Sequence, residues 1–305
     1  MGKTSKSPKQ ILRTAYEVGE RALPKYSHRF SPRTYSQPQL FACLILKAFF
    51  QTDYRGIEGI LSDLPELCSE IGMKEPPHFT TLQKAERRFL NASTTRELLQ
   101  ETIKTALTNQ QMKRIVELAA IDGSGFESRH VSDYFLKRRG NPDTKMHVTR
   151  YPKANLLCDC ASHMTLALSV RRGPCPDIKD FFRTVKSAVD AIPIKMLLGD
   201  AGYDSERSHV FANEELGIGT IIPPRNGRST TRLPTTHWRR LMRTNFDKAN
   251  YGQRWQVETL FSMIKRVLGS ALRARQFHSQ CREIRLKALA MNIMLLAAVF
   301  LFLVL

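Results

Sequence analysis

Two short apolar runs, each carrying an aspartate followed by glycine, constrain this chain most. They are RIVELAAIDGSGFE, which reaches Asp122, and IKMLLGDAGYDS, which reaches Asp200. A compact apolar run closed by turn residues reads as a buried strand, and each of these delivers an acid at its end. Between them, NLLCDC and MTLALSVRR read as a hairpin pair, and IKDFFRTVKSAVDAI as an amphipathic helix. GIGTIIPPR adds a further short strand. This order predicts an α/β domain with a mixed sheet and helices on its faces. Acids at strand ends project from one edge of a sheet, where open α/β folds place their sites. Taken singly, each aspartate is also an ordinary residue before a turn glycine.

The run YGQRWQVETLFSMIK, residues 251–265, adds a third acid. Read as one continuous helix, it places Tyr251, Arg254, Glu258 and Lys265 on an arc roughly 60° wide. Val257, Leu260, Met263 and Ile264 fill the opposite face. One helix thus buries an apolar side and presents a carboxylate among two cations and a phenol. Alone, that pattern is shared by any solvated helix face, so its partners must decide its meaning.

Charge narrows the partners. The chain has 47 Lys and Arg against 28 Asp and Glu, a net of +19. Residues 1–35 carry eight Lys/Arg and two Glu, and residues 225–287 carry fifteen Lys/Arg and three acids. Two basic stretches on a near-neutral body suit a polyanion, nucleic acid foremost.

The remaining segments set the organisation. Residues 37–110 read as several short helices, with Thr80 or Thr81 as one cap and Ser93-Thr94 with Glu97 as a capping box. Such a helical region behind a basic arm suits DNA binding of helix-turn-helix type. The six cysteines lack a disulfide-framework spacing, and no signal peptide precedes them, so a reducing, cytoplasmic setting is expected. Cys158, Cys160 and His163 lack a fourth ligand for zinc. From Ala288 to Leu305 only Asn292 is polar, which approaches a membrane span in length. A buried core or dimer helix is the favoured reading, with a membrane anchor as the minor one.

Three converging carboxylates suit a pair of hard divalent cations, which can activate a water or a 3′-hydroxyl and stabilise the leaving oxygen of a phosphodiester. Asp122 in AAIDGSGF, Asp200 in LLGDAGYDS, and the Y-x2-R-x3-E-x6-K spacing of Tyr251, Arg254, Glu258 and Lys265 together resemble the prokaryotic insertion-sequence transposases of the DDE type. The resemblance covers about residues 113–295 and implies an RNase H-like, retroviral-integrase-like catalytic domain. It implies that Asp122, Asp200 and Glu258 are catalytic and hold two Mg²⁺ or Mn²⁺ ions, with Tyr251, Arg254, Lys265 and Trp255 on DNA. In that role Arg254 is suited to grip a phosphate with two bonds and Lys265 to act as a point charge, while Trp255, or equally Trp238, either stacks on an unpaired base or packs in the core. The implied partners are the element's terminal inverted repeats, target DNA and a second copy of the chain, without a membrane. Asp159, Asp177 and Asp204 are left outside the metal set. The expected organisation is a basic arm over 1–35, a helical end-binding region over 36–112 and a catalytic domain over 113–305. The 57 residues between Asp200 and Glu258 leave no room for a large β-rich insertion. The alternatives are a nuclease or resolvase of the same fold that never joins strands, and a non-catalytic DNA-binding relative.

Overall fold

The computed structural model describes residues 4–128, 151–225 and 233–298. Its first part is helical: α1 (Pro8–Ala22), α2 (Gln37–Phe49), α3 (Tyr54–Asp63), α4 (Pro65–Glu70), α5 (Phe79–Phe89) and α6 (Ala92–Thr108). Ser7 caps α1, and Pro8 opens it, where a missing N–H costs nothing. Ile11, Leu12, Ala15 and Val18 form a buried stripe on α1 that packs on α2. Much of the expected arm over 1–35 is therefore a docked helix. Its apolar spacing decides this, while Lys9 and Arg13 remain on the outward side, both paired with Glu70.

Two caps lie elsewhere than expected. Helix α5 starts at Phe79, and the His78 ring accepts from the Thr80 N–H. Helix α6 starts at Ala92, where Asn91 accepts from the Thr94 N–H at 3.0 Å. Asn is as good an N-cap as Ser or Thr, so the earlier residue takes the position.

The second part holds a five-stranded sheet of order β4-β3-β1-β5-β6. The strands are β1 (Val116–Gly125), β3 (Tyr151–Asp159), β4 (Thr165–Gly173), β5 (Ile194–Leu198) and β6 (Gly219–Ile221). Strands β4, β3 and β1 are antiparallel neighbours, whereas β1, β5 and β6 run parallel. A separate pair joins β2 (Glu127–Ser128) to β7 (Ala271–Leu272). Helix α7 (Ile178–Val189) packs on β3 and β4, the short α8 (Glu206–Val210) follows β5, and a later helix, α11 (Trp255–Leu268), packs on β1 and β3. This is the mixed, helix-flanked sheet that the order of apolar runs predicts, and it is consistent with the RNase H-like fold that the resemblance implies.

Helix α12 (Phe277–Ala297) joins the two parts. It packs on α1, α2 and α6 and also on β3 and β4. Residues 288–297 are all buried, so the described part of the apolar tail is core; residues 299–305 lie outside the described residues. No described helix is long and apolar enough to cross a membrane. Asn292, fully buried, shows why one polar residue interrupts the tail. Its Oδ1 accepts from the Thr165 N–H at 2.9 Å, and its Nδ2 donates to the Thr165 carbonyl at 3.0 Å and to Thr102 Oγ1 at 2.9 Å. One side chain ties the edge strand β4 to helix α6. A single hydrophobic core accordingly runs through helices and sheet.

Candidate active site

Strand register brings the first two acids together. In the parallel pair β1–β5, Ala120 stands opposite Leu198. Asp122 and Asp200 each lie two residues further on, on neighbouring strands, whose usual spacing is about 5 Å. Asp200 stands just past the end of β5, as expected, but Asp122 lies within β1, which runs on to Gly125 and pairs Asp122 with Leu156 of β3. Asp122 Oδ1 accepts from its neighbour, the Gly123 N–H, at 2.8 Å. Asp200 caps a 3₁₀ turn at Ala201–Tyr203, its Oδ1 accepting from the Gly202 N–H at 2.8 Å. Burial pushes the Asp122 carboxyl up to about 6, and the charges of Asp200 and Asp177 add to this, against the Gly123 N–H and Arg254.

The third acid arrives differently from expectation. The run over 251–265 is not one helix. It consists of α10 (Lys248–Tyr251), a 3₁₀ turn (Gly252–Arg254) and α11. Gly252 sits at the break, where its poor helix propensity is no handicap. Tyr251 and Arg254 therefore lie ahead of the helix that carries Glu258. Arg254 Nη2 still reaches Glu258 Oε1, at 2.5 Å. Arg254 also faces Asp122, and Tyr251 faces Arg254, Asp200 and Glu258. Burial raises the Tyr251 phenol, so it remains a neutral hydroxyl at this edge.

The structure thus gathers Asp122, Asp200, Tyr251, Arg254 and Glu258 at one edge of the sheet. The Glu258 carboxylate, about half exposed, is turned to Arg254. As the side chains stand, no group of three His, Cys, Asp or Glu among the described residues is placed to hold a metal ion. The two aspartates are nonetheless a fitting start for a hard divalent cation. They are oxygen donors, adjacent, and Arg254 offsets part of the charge at Asp122.

A model of the transposase DDE domain family matches residues 117–293. The chain belongs to that family. It is also similar to an uncharacterized protein of Aquifex aeolicus (strain VF5), at 25% identity over 272 residues, covering 86% of this chain and 78% of the relative.

Within this DDE domain, Lys265 lies apart from the Arg254–Glu258 pair. Its Nζ donates to Ser124 Oγ at 2.8 Å and to the Gly125 carbonyl at 2.9 Å, and it sits 5.1 Å from the Phe126 ring centre. Burial lowers its pKa. Ser124 and Asp122 alternate onto the same face of β1, so Lys265 flanks the acids from two residues along the strand. Trp255 is about half exposed. Trp238 is engaged in the protein, its Nε1 donating to Glu214 Oε1 at 2.7 Å.

Sequence reasoning missed three supports. The acids left outside the metal set all have work of their own. Asp159 caps the β3–β4 turn, accepting from Ala161 and Ser162. Asp204 is fully buried and bridges the Asp200 loop to α9 (His237–Thr244), accepting from Arg239 Nη2 at 2.8 Å. Burial opposes its ionisation, but the nearby His209 ring, 3.8 Å away, and hydrogen bonds from Arg239 and the Arg225 N–H prevail and hold its carboxyl down at about 2. Asp177 pairs with Lys153 at 2.7 Å, next to Gly123. The hairpin turn also braces the break before α11: His163 Nε2 meets Gln256 Oε1 at 2.6 Å, and Cys160 Sγ donates to the Gln253 carbonyl. Of these, only Asp204 has a sequence signal, since a charged residue in an otherwise small and aromatic run invites the question of its partner.

Proposed function

We propose that this chain is a transposase that binds the terminal inverted repeats of an insertion sequence and performs metal-dependent cleavage and strand transfer on DNA. The observation that carries the reading is the side-by-side placement of Asp122 on β1 and Asp200 just past β5, with Arg254 and Glu258 paired beside them. Membership of the transposase DDE family supports it, and the basic stretch over 225–287 supplies charge for a phosphate backbone.

Asp122, Asp200 and Glu258 are the residues that would hold the divalent ions, Mg²⁺ or Mn²⁺. Bound there, such ions would sharpen an attacking oxygen and neutralise the leaving one. The protein's own part follows from its geometry. Arg254 has two candidate partners, the Glu258 carboxylate and a DNA phosphate, and its planar fork suits either. A phosphate arriving at Arg254 displaces Glu258, whose carboxylate is then free to turn to the aspartates. Tyr251, a neutral hydroxyl facing Arg254, orients the same phosphate. Trp255, outside the core, offers a stacking face for a base at the cut. The 3′-hydroxyl produced by hydrolysis becomes the nucleophile for joining.

The deciding experiment uses the full chain and an end-containing duplex with Mg²⁺ or EDTA. Nicking with Mg²⁺, lost in Asp122→Asn and in Asp200→Asn, is the expected result. Nicking in EDTA, or nicking retained in both variants, overturns the reading. Supplying pre-cleaved ends and a target plasmid then separates strand transfer from simple hydrolysis.

A further inference from the structure

We infer that Asp177, paired with Lys153, is a positioning residue of the Asp122–Asp200 site, which fixes Asp122 from the far side of the sheet. The inference rests on the reading of that site as a divalent-cation centre.

Asp177 occupies the N-cap position of α7, where an aspartate ordinarily accepts from the helix's first N–H groups. It makes no such bond. Its carboxylate instead pairs with Lys153 Nζ, which also donates to the Cys175 carbonyl at 3.1 Å. A side chain that forgoes its cap has another determinant.

That determinant lies behind Asp122. Residues alternate along β1, so Asp122 and Ser124 share one face with Lys265 of α11, and Gly123 faces the other way. On that other face Asp177 and Lys153 press against Gly123. A Cβ built on Gly123 would lie 2.0 Å from Asp177 Oδ1 and 2.9 Å from Lys153 Cε. Only glycine admits the ion pair so close. The Gly123 peptide is the one whose N–H holds Asp122 Oδ1. Pressure on Gly123 therefore sets the direction in which the Asp122 carboxylate points.

The surrounding residues are built for the same purpose. Asn155 stands opposite Gly123 in the β1–β3 register and is 2% exposed. Its Nδ2 donates to Tyr203 Oη at 2.7 Å and approaches the Asp177 carbonyl at 3.5 Å, while its Oδ1 has no partner. Tyr203 is itself fully buried, in the turn that Asp200 caps. Asn155 thus links the loop of Asp200 to the segment of Asp177. Both aspartates of the site are held from behind through one polar layer, and an unpartnered buried oxygen remains in it.

Outer-shell residues that orient a metal's carboxylates typically contribute about ten- to a hundredfold to its affinity. The test is Mn²⁺ binding to the full chain without DNA, read by electron paramagnetic resonance of free Mn²⁺, with thermal unfolding in EDTA measured alongside. Asp177→Asn is expected to raise the Mn²⁺ Kd about tenfold or more. Gly123→Ala keeps every charge and pushes the carboxylate aside, so it is expected to do the same, and it carries the test should Asp177→Asn fail to fold. Asp177→Glu, which keeps the ion pair, is expected to recover part of the affinity. A folded Asp177→Asn protein that binds Mn²⁺ as the wild type does, beside an Asp122→Asn protein that does not, overturns this inference alone. Wild-type affinity in Asp122→Asn overturns the cation reading of the site and this inference with it.

Discussion

Arg254 and Glu258 are bonded to each other, Nη2 to Oε1 at 2.5 Å, across the join between a 3₁₀ turn and α11. The pair spends its charges on itself until something anionic competes for the arginine. Glu258→Gln is expected to abolish Mg²⁺-dependent cleavage while leaving duplex binding nearly intact. Arg254→Ala is expected to weaken binding near the cut and to reduce the salt slope of log K by about one. Filter binding over a range of salt checks both, and an unchanged slope counts against a phosphate at Arg254.

Lys265 poses a sharper choice, because both of its hydrogen bonds go to β1. Lys265→Met removes the bonds to Ser124 and Gly125 and is expected to lower stability by about 1–2 kcal/mol. Urea unfolding measures this. If Lys265 also serves DNA, the salt slope falls with it; stability lost with the slope unchanged would make it a strand brace only.

Asp204 makes stability depend on acid. Its folded carboxyl is held at about 2, below the ordinary 3.8, so the folded form prefers the charged state. Its contribution is present above pH 4 and is lost as pH falls through about 2, amounting to roughly 2 kcal/mol. The stability gap between wild type and Asp204→Asn is expected to be widest above pH 4 and to narrow below it. Denaturant titrations at several pH values read the gap, and one that stays constant down to pH 2 would refute the assignment.

Asn292 satisfies both backbone groups of Thr165 and the Thr102 hydroxyl from within the core. Asn292→Leu removes the side-chain partner of both Thr165 backbone groups in an apolar setting, while the Thr102 hydroxyl keeps its bond to the Leu99 carbonyl. A loss of about 2–4 kcal/mol is expected, seen as a lower urea midpoint at unchanged m-value.

Trp255 is the opposite case, about half exposed with no core role. Trp255→Ala is expected to change stability by less than about 0.5 kcal/mol. Stacking on an unpaired base would appear as about 1–3 kcal/mol of lost affinity for a substrate with a flipped or frayed end.

The apolar runs made the strands legible, because buried strands must be apolar along their length, and Asp122 and Asp200 stood out against them. Their adjacency was not legible. It depends on Ala120 facing Leu198, a parallel register that no local pattern encodes. The angular reading of residues 251–265 assumed an unbroken helix, and the turn at Gly252 changes how Tyr251 and Arg254 approach Glu258. Nothing local in the sequence marks Asp177, and only the structure shows it at the start of α7 with its cap unmade. In α1 the abundance of charge drew attention from the stripe of Ile11, Leu12, Ala15 and Val18, which carries the packing.

The position of α12 governs how the chain is assembled during synthesis. Its partners α1, α2, α6, β3 and β4 all precede it in the chain. The faces they offer it stay wet on the ribosome until α12 emerges and closes them. A nascent chain that stalls after the sheet therefore displays open grease, the state that chaperones bind and that proteases clear first. Completion of the single core is thus tied to the last described helix.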